Sequence, residues 1–378
     1  MSITLHLPRM LHGAGSLAVL PAELEALGIR RPFIVSDQGL VKAGLLERLL
    51  QALGPLREQA TCFAEVTENP LYKDVQEGVA LYRQGACDGI VALGGGSVID
   101  TAKCISLLAT HDVSIAEIMA APTLVQRPGA PLVVLPTTAG TGSEASPSAG
   151  IHPTADRPAL GLGSRHIIPR VAILDPELTA TLPPRMTAAT GIDAISHCIE
   201  GYLSKNDVPL GDTIALDGLE RAVRHIRRAT ADGNDMEARG EMMLAAFAGG
   251  ACIGMGLGPA HAIAIVCSDQ GFHHGVLSGI GLVATLDETA ANEPERVAAL
   301  SRAFGLEPGQ SLAGSIAALM RELKLPATLA ELGYRVDDLP ALAQAAHAAH
   351  FNRAARHHPT VNAYAAMISH SMANRTRA

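Results

Sequence analysis

Gly89-Ile-Val-Ala-Leu93-Gly94-Gly95-Gly96-Ser97 sets the architecture of the first half of this chain. A short apolar run ends in three glycines, and a helical pattern from Ser97 to Ala109 follows at once. Strand, glycine turn and helix in that order form a place where backbone comes close to a ligand and the first helical N–H groups and dipole favour an anion. Gly94–Ser97 does not spell the G-x-G-x-x-G fingerprint, and a glycine turn alone also serves as a tight strand-to-helix connection.

The surrounding chain repeats the alternation. Phe33-Ile-Val-Ser36 is an apolar run ending at Asp37, Leu45–Leu53 and Tyr72–Gln84 have helical spacing, and Pro131-Leu-Val-Val-Leu135 is a further strand. Uninterrupted apolar strands separated by helices predict a parallel sheet covered on both faces, a Rossmann-like α/β arrangement. Pro8-Arg-Met-Leu-His12 reads as a poor strand, so the glycines of Gly13-Ala-Gly15-Ser-Leu-Ala18 are expected to serve packing. Beyond Leu182-Pro-Pro184 the texture changes to long, alanine-rich segments such as Ser311–Leu323 and Leu339–His350. Their 3.6-residue periodicity predicts an all-α second domain, with a dinucleotide-type α/β domain over 1–182 and a helical domain over 183–378.

Composition narrows the function. With 378 residues, 48% hydrophobic and 17% charged, the chain supports two cores, and it contains no apolar run long enough to span a membrane. The opening Met1–Met10 lacks a signal peptide's pattern, so a cytoplasmic location is expected. Six cysteines occur without a C-x-x-C pair and are expected to be reduced and buried. A net charge of −8, no Trp and no basic block argue against nucleic acid as a partner and for a small molecule.

Two further segments carry chemistry. Pro136-Thr-Thr-Ala-Gly140-Thr-Gly142-Ser-Glu144 follows a strand and brings hydroxyls and glycines to the sheet's carboxyl edge, where ligands of open α/β folds bind. Together with the first glycine loop it suits a dinucleotide, and Asp37 would accept the adenosine ribose hydroxyls and repel a 2′-phosphate, although an Asp after a strand is also a common helix cap. In the second half, Asp193 and His197 form an i, i+4 pair on one helix face; His261 lies in Gly254–His261 and His274 in His273-His274-Gly275. One carboxylate and three imidazoles suit Fe²⁺ or Zn²⁺ better than Ca²⁺ or Mg²⁺. Fifteen histidines make chance pairings common, so the alternative is polar residues satisfied inside helices. No nucleophile elbow, P-loop or H-E-x-x-H is present.

These motifs resemble the iron-containing, or group III, alcohol dehydrogenases. The likeness runs through Gly13–Ser16, Glu68-Asn-Pro70, Gly94–Lys103, Pro136–Glu144, Asp175-Pro-Glu-Leu178 and Gly191–Glu200 and extends into the C-terminal helices. The resemblance implies an N-terminal nucleotide domain, a helical metal domain and a cleft between them. It implies metal ligands Asp193, His197, His261 and His274, with Fe²⁺ expected and Zn²⁺ accepted by the same set. NAD contacts would fall on Asp37, Gly94, Gly95, Gly96, Ser97, Asp100, Thr137, Thr138, Thr141 and Ser143. The implied reaction is NAD-dependent interconversion of a small alcohol with its aldehyde or ketone, by a homodimer or higher homo-oligomer.

Asp193 separates the chain from the similar maleylacetate reductases, which tend to carry Asn there. Dehydroquinate-synthase-like lyases share the architecture but need several Lys and Arg residues for their substrate. A nucleotide binder without turnover is the third reading, raised by two departures from the family pattern. Ile265 stands where many members carry His, and Ala159 where a Lys is usual, with Arg157 nearby; the His261–His274 loop is also one residue short. With Ile265 in place, His273 is the nearest titratable candidate in sequence for a proton relay. Substrate-pocket side chains are sought at Ser148, Phe247, Met255 and near Phe351.

Overall fold

The computed structural model describes residues 5–373. Six parallel strands, β1 (Arg9–His12), β2 (Pro32–Val35), β3 (Thr61–Phe63), β4 (Gly89–Gly94), β5 (Leu132–Pro136) and β8 (Val171–Leu174), form one sheet in the order β1-β8-β5-β4-β2-β3. A separate antiparallel hairpin joins β6 (Ser148–Ile151) to β7 (Leu160–Gly163). β2, β4, β5 and β8 are buried along their whole length, which is why they read as unbroken apolar runs. Helices α1 (Leu20–Ala26), α2 (Gln38–Lys42), α3 (Leu45–Ala52), α4 (Tyr72–Gln84), α5 (Gly96–Thr110) and α6 (Ile115–Ala120) run between the strands. They cover both faces: Val91, Leu93, Val133 and Leu135 pack with α1 and α3, while Ile90, Ala92, Leu132 and Val134 join the core containing α4 and α5.

β1 corrects the reading of Pro8–His12 as a poor strand. Its residues are mostly exposed and carry little apolar signal, but the full strand pairs with β8, from Arg9 opposite Val171 to His12 opposite Leu174. An edge strand of this kind is specified by its partner more than by its own pattern. The following Gly13–Ala18 turn is tied down by Asp175, whose carboxylate accepts from the amides of Gly15 (3.1 Å) and Leu17 (2.9 Å). Gly13 and Gly15 serve the turn's positive φ angles and not close packing, since a Cβ on either would meet nothing within 4 Å.

From Pro184 onward the described chain is helical: α7 (Pro184–Tyr202), α8 (Pro209–Ala231), α9 (Met236–Ile253), α10 (Pro259–Val266), α11 (His274–Asn292), α12 (Pro294–Phe304), α13 (Leu312–Glu322), α14 (Leu329–Leu332), α15 (Leu339–Ala348) and α16 (Val361–Ala373). An isolated bridge between Ser204 and Ala355 is the exception, and the segment expected to be helical as far as His350 leaves the α-helix after Ala348. α7 is buried from Thr187 to Tyr202 and packs against α8, α9 and α11, making it the central post of the helical half. No described helix is long and apolar enough to cross a membrane. All six cysteines are free; five are buried, but Cys62 is exposed on the edge strand β3, against the expectation of six buried thiols.

Candidate metal centre and nucleotide edge

β2 leads to β3 on one side, whereas β4, β5 and β8 proceed on the other, so the strand order reverses between β2 and β4. Ligands of open α/β sheets bind outside the carboxyl ends of the strands at such a reversal. Asp37 follows β2, Gly95–Ser97 follow β4 and Thr137–Ser143 follow β5, and the pairings Val35–Ala92 and Gly94–Pro136 bring these ends side by side.

The two loops after β4 and β5 touch. A side chain placed on Gly96 would meet Thr141 Cγ2 at 2.8 Å, and one on Gly95 would meet Thr138 Cγ2 at 3.3 Å. Packing therefore accounts for two of the glycines. α5 nevertheless has Gly95 as its N-cap, which offers no side chain, leaving the donors of its first turn for an anion. Ser97 spends its hydroxyl on the Glu68 carbonyl, so only its amide is free for a ligand. Thr137 is buried and its amide bonds the Gly94 carbonyl at 3.0 Å, while Thr138 and Thr141 are half-buried at the loop surface. Asp37 caps α2, one carboxyl oxygen accepting from the Leu40 amide at 2.9 Å.

Asp100 and Ser143 come together, with the Ser143 hydroxyl donating to one Asp100 oxygen and the Gly150 amide donating to the other at 2.8 Å. Beneath them lies Lys103, which sequence reasoning left as part of a motif. Its side chain is fully buried; Nζ donates to the carbonyls of Ser146 (3.1 Å) and Ser148 (2.6 Å) and stands 3.7 Å from Asp100. Burial pushes Lys103 down, opposed by the charges of Asp100 and Glu144. This network clamps the Thr-rich loop and the β6–β7 hairpin to α5. Arg157 and Ala159 lie between β6 and β7, and the Arg157 carbonyl accepts from His152 Nδ1 at 2.7 Å.

The same loop reaches the helical half. Gly142, at φ +61°, approaches Gly250 of α9 so closely that a Cβ on it would lie 2.4 Å from the Gly250 Cα, and Gly140 lies against Thr190 of α7. One turn further along α7 stand Asp193 and His197. Gly275 lets the start of α11 settle onto α7, since a Cβ there would fall 2.3 Å from the Ala189 carbonyl and 2.9 Å from the Asp193 Cβ. That contact brings His274 beside Asp193.

Ligand atoms of Asp193, His261 and His274 lie within 4.8 Å of one another. His197 stands alongside, its Nε2 3.9 Å from Asp193 Oδ1 and its ring 4.9 Å from that of His261. Asp193 Oδ1 and His261 Nε2 are buried and have no hydrogen-bond partner, an arrangement that costs several kcal/mol per charged or polar group unless something fills the space between them. Burial would push Asp193 up, but the neighbouring imidazoles of His197, His274 and His261 outweigh it and the carboxyl falls below its ordinary value. Burial lowers His197 to about 4, so its ring is neutral and offers a lone pair at neutral pH. The donor set therefore fits a divalent transition metal. With its side chain 46% exposed, His274 leaves one side of the cluster open.

His261 is held by Glu200, the partner that sequence reasoning missed: Glu200 Oε2 lies 2.5 Å from His261 Nδ1. Its signal was present, because Glu200 extends the Asp193, His197 stripe on α7 by one further helical turn. Phe351 lies with its ring 5.6 Å from that of His261, whereas Met255 is buried against Gly211 of α8. Phe247 is half-buried on α9. The Ser148 carbonyl is engaged by Lys103. Ile265 sits half-buried on α10, one turn after His261. His273 is the N-cap of α11, its Nδ1 accepting from the Gly275 amide at 3.1 Å.

A six-stranded parallel sheet with an uncapped glycine turn, butted against a helical body that carries an Asp–His group able to hold a metal, defines a two-part α/β and helical, metal-site-bearing fold. Comparison with known proteins agrees. Residues 8–176 match the family model for iron-containing alcohol dehydrogenase, and residues 187–372 match the Fe-containing alcohol dehydrogenase family C-terminal model. The chain belongs to the iron-containing alcohol dehydrogenase family. It is 41% identical over 336 residues to 4-hydroxybutyrate dehydrogenase of Cupriavidus necator, covering 85% of this chain and 87% of that protein. The fold superposes on a crystal structure of 1,3-propanediol oxidoreductase with a TM-score of 0.92 and 27% identity, covering 98% of this chain and 100% of that one. It also superposes on sulfoacetaldehyde reductase from Bifidobacterium kashiwanohense in complex with NAD⁺, with a TM-score of 0.89, 26% identity and coverage of 99% and 100%.

Proposed function

We propose that the protein interconverts a small alcohol and its aldehyde or ketone with NAD(H), using one divalent metal, Fe²⁺ or Zn²⁺, held by Asp193, His197, His261 and His274. The observation that carries this reading is the pair of buried, unpartnered ligand atoms, Asp193 Oδ1 and His261 Nε2, set beside the Thr-rich loop of the sheet edge. When bound, the metal supplies Lewis-acid polarisation of the substrate oxygen and the nicotinamide supplies the hydride acceptor or donor.

The chain's own groups do the rest. The first-turn amides at Gly95, Gly96 and Ser97 receive the pyrophosphate, Thr138 and Thr141 line its path, and Thr137, Asp100 and Ser143 brace that loop, with Gly94 closing the turn. The open side of His274 admits substrate, and the Phe351 ring screens His261 from water. Residues 1–182 form the dinucleotide domain and 183–378 the metal and substrate domain. The 4-hydroxybutyrate dehydrogenase relative makes four-carbon hydroxy acids the first substrates to test. We place the enzyme in the cytoplasm as a homo-oligomer, dimeric or larger, acting without nucleic acid or membrane.

NADH consumption across a panel of aldehydes and ketones, succinic semialdehyde included, tests the reading after reconstitution with Fe²⁺ or Zn²⁺. Turnover of at least one carbonyl supports it. NAD binding with no turnover of any substrate identifies a nucleotide binder instead. A lyase is disfavoured by the surroundings of Asp193, whose ion-pair partners are imidazoles and not Lys or Arg among the described residues.

Asp37 sets cofactor choice in this account. Asp37→Ser keeps a side chain able to cap α2 but removes the charge, so the preference for NAD over NADP should narrow by about one to two powers of ten. Equal use of both cofactors by the unmodified enzyme would refute the assignment. His273 is assigned the proton path: with Nδ1 accepting from the Gly275 amide, the neutral ring carries its hydrogen on Nε2, so a relay releases the Nε2 proton while Nδ1 leaves the cap to take up the incoming one. His273→Asn can keep a cap and cannot titrate. If His273 relays protons, this variant turns over more slowly with a shifted acidic limb and unchanged metal content; unchanged kinetics leave His273 a cap alone.

A further inference from the structure

We infer that Glu200 selects the tautomer of His261 and is thereby a positioning residue for the metal site. The inference rests on the metal reading above. Glu200 is 3% exposed near the end of α7 and has no Lys or Arg partner among the described residues. Instead it faces the start of α10, where Oε1 accepts from the Ala260 amide at 2.7 Å and Oε2 accepts from the His261 amide at 3.1 Å. The positive end of the α10 dipole and two backbone donors hold the carboxylate as an acceptor.

His261 Nδ1 lies 2.5 Å from the same Oε2. A ring nitrogen facing an acceptor must carry the hydrogen, and in a neutral imidazole the other nitrogen then bears the lone pair. That other nitrogen is Nε2, which is buried and unpartnered, on a ring grouped with Asp193 and His274. One carboxylate thus fixes the start of α10, the orientation of the His261 ring and the nitrogen presented to the metal. Without it, the Nδ1 lone-pair tautomer becomes available and Nε2–H points at the ligand position, where it repels a cation.

Glu200→Gln separates this role from simple helix capping. The neutral amide has one acceptor oxygen in place of two; with its NH₂ group opposite Nδ1 it donates and drives the ring proton to Nε2, and with its oxygen there it holds the Nδ1 proton more weakly than a carboxylate does. In histidine-¹⁵N-labelled, metal-stripped protein, long-range ¹H–¹⁵N spectra should show His261 as the Nδ1–H tautomer, assigned by its loss in His261→Ala. Glu200→Gln should shift it toward Nε2–H and weaken Zn²⁺ affinity, measured by chelator competition, about 10- to 100-fold. NAD affinity should hold, reporting an intact sheet edge. An Nε2–H tautomer in the unmodified protein overturns the inference, as does a Zn²⁺ affinity for Glu200→Gln equal to that of the unmodified protein. If the variant fails to fold, the tautomer in the unmodified chain decides alone. Failure of the unmodified protein to bind Zn²⁺ or Fe²⁺ would count against the metal reading, while the tautomer would still be read from the spectrum.

Discussion

His261→Ala is expected to abolish tight metal binding and to lower turnover about a thousandfold or more, while NAD still binds. His261 is 1% exposed, and its buried Nε2 has no hydrogen-bond partner and is the nitrogen left free to join Asp193 and His274. Removing it leaves Asp193, His197 and His274 around a space that an alanine cannot fill and strands Glu200 without its imidazole. Lewis-acid stabilisation is worth several kcal/mol, and at about 1.4 kcal/mol per power of ten this converts to the expected loss. The glycine turn and α5 lie in the other half of the molecule, so dinucleotide affinity should change little. Metal content by elemental analysis, NAD titration and steady-state kinetics on one preparation check all three parts. Near-normal turnover by His261→Ala would show that the cluster is structural.

Lys103→Met is expected to cost on the order of 3–5 kcal/mol of stability, the range for breaking a buried ion pair from one side. The methionine matches the length of the lysine but leaves the carbonyls of Ser146 and Ser148 without their donor and Asp100 without its cation. Glu144, which burial pushes up to about 7, loses the charge that opposes the rise. For a protein of ordinary stability such a loss is a large share of the total. Urea unfolding of the metal-stripped protein measures it; a change below about 1 kcal/mol would show that the Lys103 network contributes little to holding the Thr-rich loop.

Much of this architecture was legible because its signals are local. The buried strands β2, β4 and β5 announce themselves as apolar runs, α4 matches its helical pattern from Tyr72 to Gln84, and the four proposed metal ligands sit in short recognisable segments. What escaped depends on contacts distant in sequence. β1 exists through pairing with β8, and the β6–β7 hairpin, carrying Gly150, Gly161 and Gly163, has little strand propensity of its own. Glu200 meets His261 across 61 positions and Lys103 meets Ser146 across 43, distances over which spacing conveys nothing. Cys62 was misplaced because a three-residue edge strand exposes alternate side chains to solvent.

Metal dependence of turnover decides whether Asp193, His197, His261 and His274 hold a catalytic metal. The purified protein is stripped with a chelator, titrated with Fe²⁺ or Zn²⁺ under exclusion of oxygen, and followed by NADH oxidation with succinic semialdehyde and a series of simple aldehydes. The stripped protein is expected to show no turnover, with recovery that saturates at one metal ion per chain. Full activity in the metal-free protein would contradict it.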